Sequence, residues 1–118
     1  MDVIALQTPY ITIHLAQRQL HLYKTTEHSE TFPVAIGKPA TPTPIGNWKI
    51  QNKKILTDAS VFGSHWLGLN LPGYGIHGTN QPTAIGSAVS GGCIRMHNKD
   101  VQYLFNQVSI GTPVVIVE

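Results

Sequence analysis

The first third of the chain alternates apolar and polar residues with a period of two, and that rhythm constrains the fold more than any other feature. Ile11, Ile13 and Leu15 fall on one side of an extended backbone, Thr12 and His14 on the other, because successive side chains of a strand point to opposite faces. After Ala16-Gln17-Arg18 the alternation resumes through Gln19-Leu20-His21-Leu22-Tyr23-Lys24. The pattern predicts a β-hairpin with one buried face. Residues 25–30 read as a polar turn. Residues 31–36 read as a third strand, edge-like at Pro33, which has no N–H to give a ladder.

A stiff loop follows. Residues 37–46 hold three prolines and two glycines, and short extended segments resume directly after it. Trp48 and Ile50 alternate with Lys49 and Gln51, Phe62, Trp66, Leu67 and Leu69 mark another apolar stretch, and Pro72-Gly73-Tyr74-Gly75 turns into Ile76-His77-Gly78. One segment has helical spacing. Val101, Leu104, Phe105 and Val108 recur at i, i+3, i+4 and i+7, with Asn98 as the expected N-cap and Asp100 in the first turn. Gly111 ends that region, and residues 113–117 read as a buried terminal strand. Seven to nine short strands and one clear helix predict a mainly β fold, a sandwich or partly open barrel.

At 118 residues the chain has the size of a single domain. Charged residues make up 12%, about half the usual share, which argues against a disordered tail or a coiled coil. A net charge of +2 supplies little phosphate-neutralising power, so a dedicated nucleic-acid binder is not expected. The longest apolar runs, residues 3–6 and 114–117, are too short to span a bilayer. No basic segment leads into an apolar one at the start, so no signal peptide is expected within this sequence. The single cysteine, Cys93, excludes an internal disulfide and a cysteine-rich zinc site. The six histidines form no His-Glu-x-x-His string and no i, i+4 pair, so neither a metal nor another cofactor is expected. Glu27 and Glu30 sit in a polar turn and read as a solvated face rather than a glycosidase pair.

The residues that can carry chemistry cluster between positions 76 and 96. His77 ends one predicted strand, and Cys93 follows Ser90-Gly91-Gly92 sixteen positions later. A free thiol is only a few per cent ionised at neutral pH. A neighbouring imidazole can take its proton, hold the thiolate as an ion pair and later protonate a leaving amine. The glycine pair lets the backbone approach a substrate, so the N–H groups of Gly92 and Cys93 are candidate oxyanion donors. The Gly78 carbonyl can hold the second ring nitrogen of His77. Arg95 can clamp a carboxylate or brace the loop.

Each residue also has an ordinary reading. A lone cysteine is often a small core hydrophobe, and a lone histidine is often a structural hydrogen-bonding group. Ser90 reads better as a loop-orienting hydroxyl than as a nucleophile, because the thiol is the stronger and better placed group.

His77-Gly78-Thr79 followed by Ser90-Gly91-Gly92-Cys93-Ile94-Arg95-Met96 resembles the signature of the L,D-transpeptidase catalytic domain, the YkuD family. The proline-rich loop and the hairpin turn at Gln17-Arg18-Gln19-Leu20 are similar too, so the likeness runs from about Tyr10 to Val117. It implies one catalytic domain over residues 1–118, of mainly β fold, with Cys93 as nucleophile and His77 as base. It matches Gly78 to the orienting carbonyl, Gly92 and Cys93 to the oxyanion loop, and Arg95 to the arginine after the nucleophile. Ser90, Thr79, Tyr74 and Trp66 are the further candidates for substrate contact. The implied partners are peptidoglycan tetrapeptide stems, donor and acceptor, joined as 3→3 cross-links without a metal, and carbapenem β-lactams as inhibitors. A cell-wall location and a monomer are expected. An L,D-carboxypeptidase acting on the same stems and a non-catalytic wall-binding module are the alternatives. Gly91 departs from the family pattern, where many members have His. That leaves His77 as the one base and the cleft more open on that side.

Overall fold

The computed structural model describes residues 8–25, 27–57 and 61–118. The apolar run at residues 3–6 lies outside them. The hairpin forms as its alternation requires. β1 (Tyr10–His14) and β2 (Gln19–Tyr23) pair antiparallel, Ile13 opposite Leu20 and Ile11 opposite Leu22. All four of these side chains are fully buried.

β3 (Ser29–Gly37) is the element that closes the sheet. Its first half pairs with β2, ending at Pro33 opposite Gln19. Its second half leaves β2 and pairs with β8 (Ile94–Met96) and β7 (Ala88–Ser90). Pro33 thus stands where the strand changes partners, a place that tolerates a missing N–H. The order is β2-β1-β9-β4-β5-β6-β8-β3-β7, and the β2–β3 pairing returns the sheet to its start. The remaining strands are β4 (Gly46–Ile55), β5 (His65–Leu69), β6 (Gly75–His77) and β9 (Pro113–Val117). The fold is therefore a mainly β barrel that closes on itself, where the sequence left a sandwich or a partly open barrel as the choices. Closure removes most of the edge that an open sheet would expose, leaving β7 paired on one side only.

The core is one cluster drawn from nearly every strand, including Ile11, Leu22, Val34, Ile50, Leu67, Ile76, Ile94 and Val114. The helix α1 (Asn98–Gln107) adds Val101 and Leu104 to it and packs against β5 and β6. Phe105 lies beside His65 at 4.8 Å between ring centroids. Asn98 is not the N-cap. His97 holds that position, with no side-chain capping bond, because the Asn98 amide is committed elsewhere. Its Oδ1 accepts from the Ser64 and Thr79 N–H groups, and its Nδ2 donates to the Thr79 carbonyl. The start of the helix thereby pins the turn that follows His77.

Candidate active site

β6 and β8 run parallel, with Ile76 beside Ile94 and His77 beside Arg95. Adjacent partners share a face, so His77 and Arg95 are placed on one side, and the Arg95 charge acts on both His77 and Cys93. Ile76 and Ile94 take the other side, in the core. The register therefore brings the imidazole and the guanidinium together, with the thiol one residue before β8 and within reach of the Arg95 charge. Cys93 is partly exposed. His77 is only 4% exposed, because two aromatic rings cover it. Trp66 stacks on it at 5.7 Å and 18°. Phe62 meets it edge-on at 5.1 Å.

The imidazole is oriented by the next residue. His77 Nδ1 and the Gly78 carbonyl are 2.5 Å apart. A carbonyl only accepts, so this contact puts a proton on Nδ1. Burial drives the His77 pKa below its ordinary value, opposed by the Gly78 carbonyl, with Arg95 lowering it further and the Phe62 carbonyl raising it. The resting imidazole is neutral at neutral pH. Burial also pushes the Cys93 thiol up, against a Gly75 backbone hydrogen bond and the Arg95 charge, which both favour the thiolate. The resting pair is therefore thiol and imidazole. The Cys93 Sγ–H donates to the Gly73 carbonyl at 3.6 Å rather than to the ring, as a protonated sulfur beside an acceptor will.

The nucleophile loop is built by hydroxyls. Ser90 Oγ donates to the Cys93 carbonyl at 2.6 Å and accepts from the Gly92 N–H at 3.0 Å. Thr43 Oγ1 donates to the Gly92 carbonyl and accepts from the Gly37 N–H. Thr41 Oγ1 donates to the Ser90 carbonyl. Gly92 itself is needed for close approach. Its φ is +124°, and a Cβ there would lie 2.6 Å from the Tyr74 ring. These bonds bear on three of the sequence assignments. The Gly92 N–H is bonded to Ser90 Oγ, and the loop's uncommitted candidate donor is the N–H of Cys93. Ser90 is 2% exposed and braces the loop from beneath, as the loop-orienting reading of its hydroxyl expects. Thr79 is likewise 2% exposed, and its hydroxyl accepts from the Gln81 N–H.

Tyr74 and Trp66 do lie at the site. Tyr74 rests on Gly92, and the Trp66 ring rests on Gly75, whose Cβ would be 2.7 Å from it. Trp66 also lines a groove of about 240 Å³ with Lys54, Leu56 and Phe62. Gly91 is exposed, and a Cβ there would meet nothing within 4 Å, so the cleft is open at that edge. Thr41, Thr43 and Asn98 were not singled out as site residues. Small hydroxyl residues spaced between prolines were the available signal for the first two. Among the described residues no group of three or more His, Cys, Asp or Glu side chains can hold a metal ion. No helix among them is long and apolar enough to cross a membrane.

Residues 8–116 match the family model of the YkuD L,D-transpeptidase catalytic domain, and the chain belongs to that family. It is 48% identical over 109 residues to the Bacillus licheniformis protein named YkuD, covering 92% of this chain and 66% of that one. The chain thus spans slightly less than two thirds of the length of that relative. The catalytic domain of the Enterococcus faecium L,D-transpeptidase superposes with a TM-score of 0.78 at 29% identity, over 94% of this chain and 98% of that one. A Mycobacterium tuberculosis L,D-transpeptidase 3 in complex with a faropenem-derived adduct shares the fold, with a TM-score of 0.80 at 21% identity, over 93% and 61% of the two chains.

Proposed function

We propose that this protein is a cysteine acyltransferase that forms 3→3 cross-links between peptidoglycan peptide stems at the cell wall. The observation that carries the reading is the shared face of His77 and Arg95, set by the β6–β8 register, with Cys93 one residue before β8 and within reach of the Arg95 charge, in a chain of the L,D-transpeptidase family.

The chemistry follows from the resting state. The Cys93 thiol turns from the Gly73 carbonyl towards His77, whose unprotonated nitrogen takes the proton. Burial disfavours the resulting imidazolium, and the Gly78 and Phe62 carbonyls offset that. Sulfur attacks the carbonyl of the L-centre of the diamino acid at stem position three. The N–H of Cys93 stabilises the oxyanion. When the intermediate collapses, the C–N bond to the terminal D-alanine breaks and the imidazolium protonates the departing amine. An amine from a second stem then attacks the thioester, gives its proton to His77, and releases the thiolate as the new amide forms. Arg95 has no ion-pair partner among the described residues, and its charge is free to meet a stem carboxylate. The stacked Trp66 ring restricts rotation of the imidazole throughout. β-Lactams acylate the same sulfur in this reading.

The test is product analysis. Incubation with a tetrapeptide stem followed by mass spectrometry should show stem dimers and free D-alanine. Tripeptide without dimer would make the protein an L,D-carboxypeptidase. Unchanged substrate, with a Cys93 that a carbapenem does not modify, would leave a wall-binding module.

A further inference from the structure

A second cavity lies beside the proline-rich loop, apart from Cys93 and His77. Its volume is about 470 Å³, and its lining includes Arg18, Ile36, Lys38, Pro42, Ile45 and Glu118. Arg18 is unusual in two independent ways. It is the one non-glycine residue with a positive φ, 55°, among the described residues, a conformation that glycine or asparagine adopts more readily. Its Nε is also the one buried side-chain nitrogen or oxygen without a hydrogen-bond partner among them, and such groups are rare enough to require a reason.

Backbone geometry does not explain an arginine there. The turn is closed by its N–H to the Leu15 carbonyl, at 3.2 Å, and by the Val34 N–H to its carbonyl, at 3.1 Å. Any residue supplies those groups. The side chain reaches across to donate from Nη1 to the Gly86 carbonyl at 3.0 Å. That fixes one corner of the guanidinium and leaves the Nε–Nη2 edge, whose two parallel N–H groups match a carboxylate. Nε is shielded from bulk water, so the side chain must rotate to present that edge, and a ligand carboxylate that meets the unpaired N–H offsets the cost of doing so. Lys38 adds a second cation at the lining. Glu118 adds an anion suited to an amine, and Ile36, Ile45 and Pro42 give apolar walls. A short peptide has this mixture of groups.

We propose that this cavity is a second binding site, in which Arg18 and Lys38 hold the carboxylate of a short peptide. The site reports to the first one through the loop that forms its wall. The Lys38 N–H donates to the Ser90 carbonyl at 3.1 Å, and Thr41 and Thr43 tie the same loop to Ser90 and Gly92. Binding in this cavity does not use the reactivity of Cys93, so it stands or falls separately from the acyltransferase reading.

The test is an NMR titration that follows the arginine ¹⁵Nε–¹Hε resonances. The probes are N-acetyl-lysyl-alanine, its C-terminal amide, and sodium acetate alone. The Arg18 resonance should move saturably with the acid, and the amide should bind about tenfold more weakly or worse, the usual effect of losing a charged hydrogen bond. Arg18→Gln should weaken binding of the acid by a similar factor. Should that variant lose the native amide spectrum, Lys38→Gln in a wild-type background should weaken binding by about threefold. An unmoved Arg18 resonance, equal binding of acid and amide, or Lys38→Gln binding as wild type would overturn the proposal. Acetate matching the peptide would also overturn it, leaving an adventitious ion only.

Discussion

The hairpin half of the barrel and the catalytic half are held by different means. β1, β2 and β9 meet over long, regular registers whose buried residues are aliphatic, such as Ile11, Ile13, Leu20, Leu22 and Val114. β6, β7 and β8 are three residues long. Their loops are fixed by individual hydroxyls and one amide, from Ser90, Thr43, Thr41 and Asn98. The first half draws on apolar burial, which is non-directional and insensitive to small shifts. The second draws on directional bonds, each with one satisfactory geometry. The lesson is that strand pairing supplies the frame, and polar contacts set where the sulfur and the ring stand upon it.

Substitutions can separate the two halves. Cys93→Ala should abolish acyl transfer and carbapenem modification outright while the melting midpoint moves by no more than about 3 °C. A variant that still cross-linked would end the assignment of the nucleophile. His77→Gln should slow thioester formation by about 10² to 10⁴, read by quenched-flow mass spectrometry, with the barrel intact. Leu22→Ala belongs to the other half. It should cost about 2–5 kcal/mol in urea unfolding and leave the acylation rate of the folded fraction within about twofold. A large change in that rate would show that the two halves are not separable.

Thr43→Val probes the seam between them. It leaves the Gly37 N–H and the Gly92 carbonyl without their partner, so stability should fall by about 1–3 kcal/mol. Acylation should slow as well, because the nucleophile loop loses a brace. Unaltered acylation would show that the proline-rich loop does not position Cys93. The smallest effect is in the pH dependence. His77 has its pKa held below 6.5 by burial in the folded protein. The unfolded chain takes up that proton first as pH falls, so stability is full above 6.5 and declines below it through the folded value. His77→Gln should flatten part of that decline in a series of thermal melts. An identical pH profile would show that the ring is not desolvated.

Much of this division was legible in the sequence, and for one reason. The hairpin, the helix and the terminal strand follow from local periodicity, and the edge-like reading of Pro33 falls where β3 changes partners. Cys93 and His77 stood out because glycine-flanked chemistry is a local pattern too. Barrel closure was not legible, since it depends on β3 meeting β2 and β8 in turn, and no periodicity encodes which distant strand is met. Asn98 was read as a helix cap because its position suits one. Its real partners, Ser64 and Thr79, are far away in sequence. The Gly92 N–H was assigned to an oxyanion for the same reason: the Ser90 hydroxyl that occupies it becomes visible only once the loop is folded.

The most direct measurement is to trap the acyl-enzyme. The protein is mixed with a tetrapeptide stem, quenched in acid within the first turnover, and its intact mass and proteolytic fragments are determined. The account predicts one tripeptidyl group per molecule, joined as a thioester to Cys93, with one D-alanine released. Release of D-alanine at an undiminished rate from Cys93→Ala, or an adduct that maps to another residue, would contradict it.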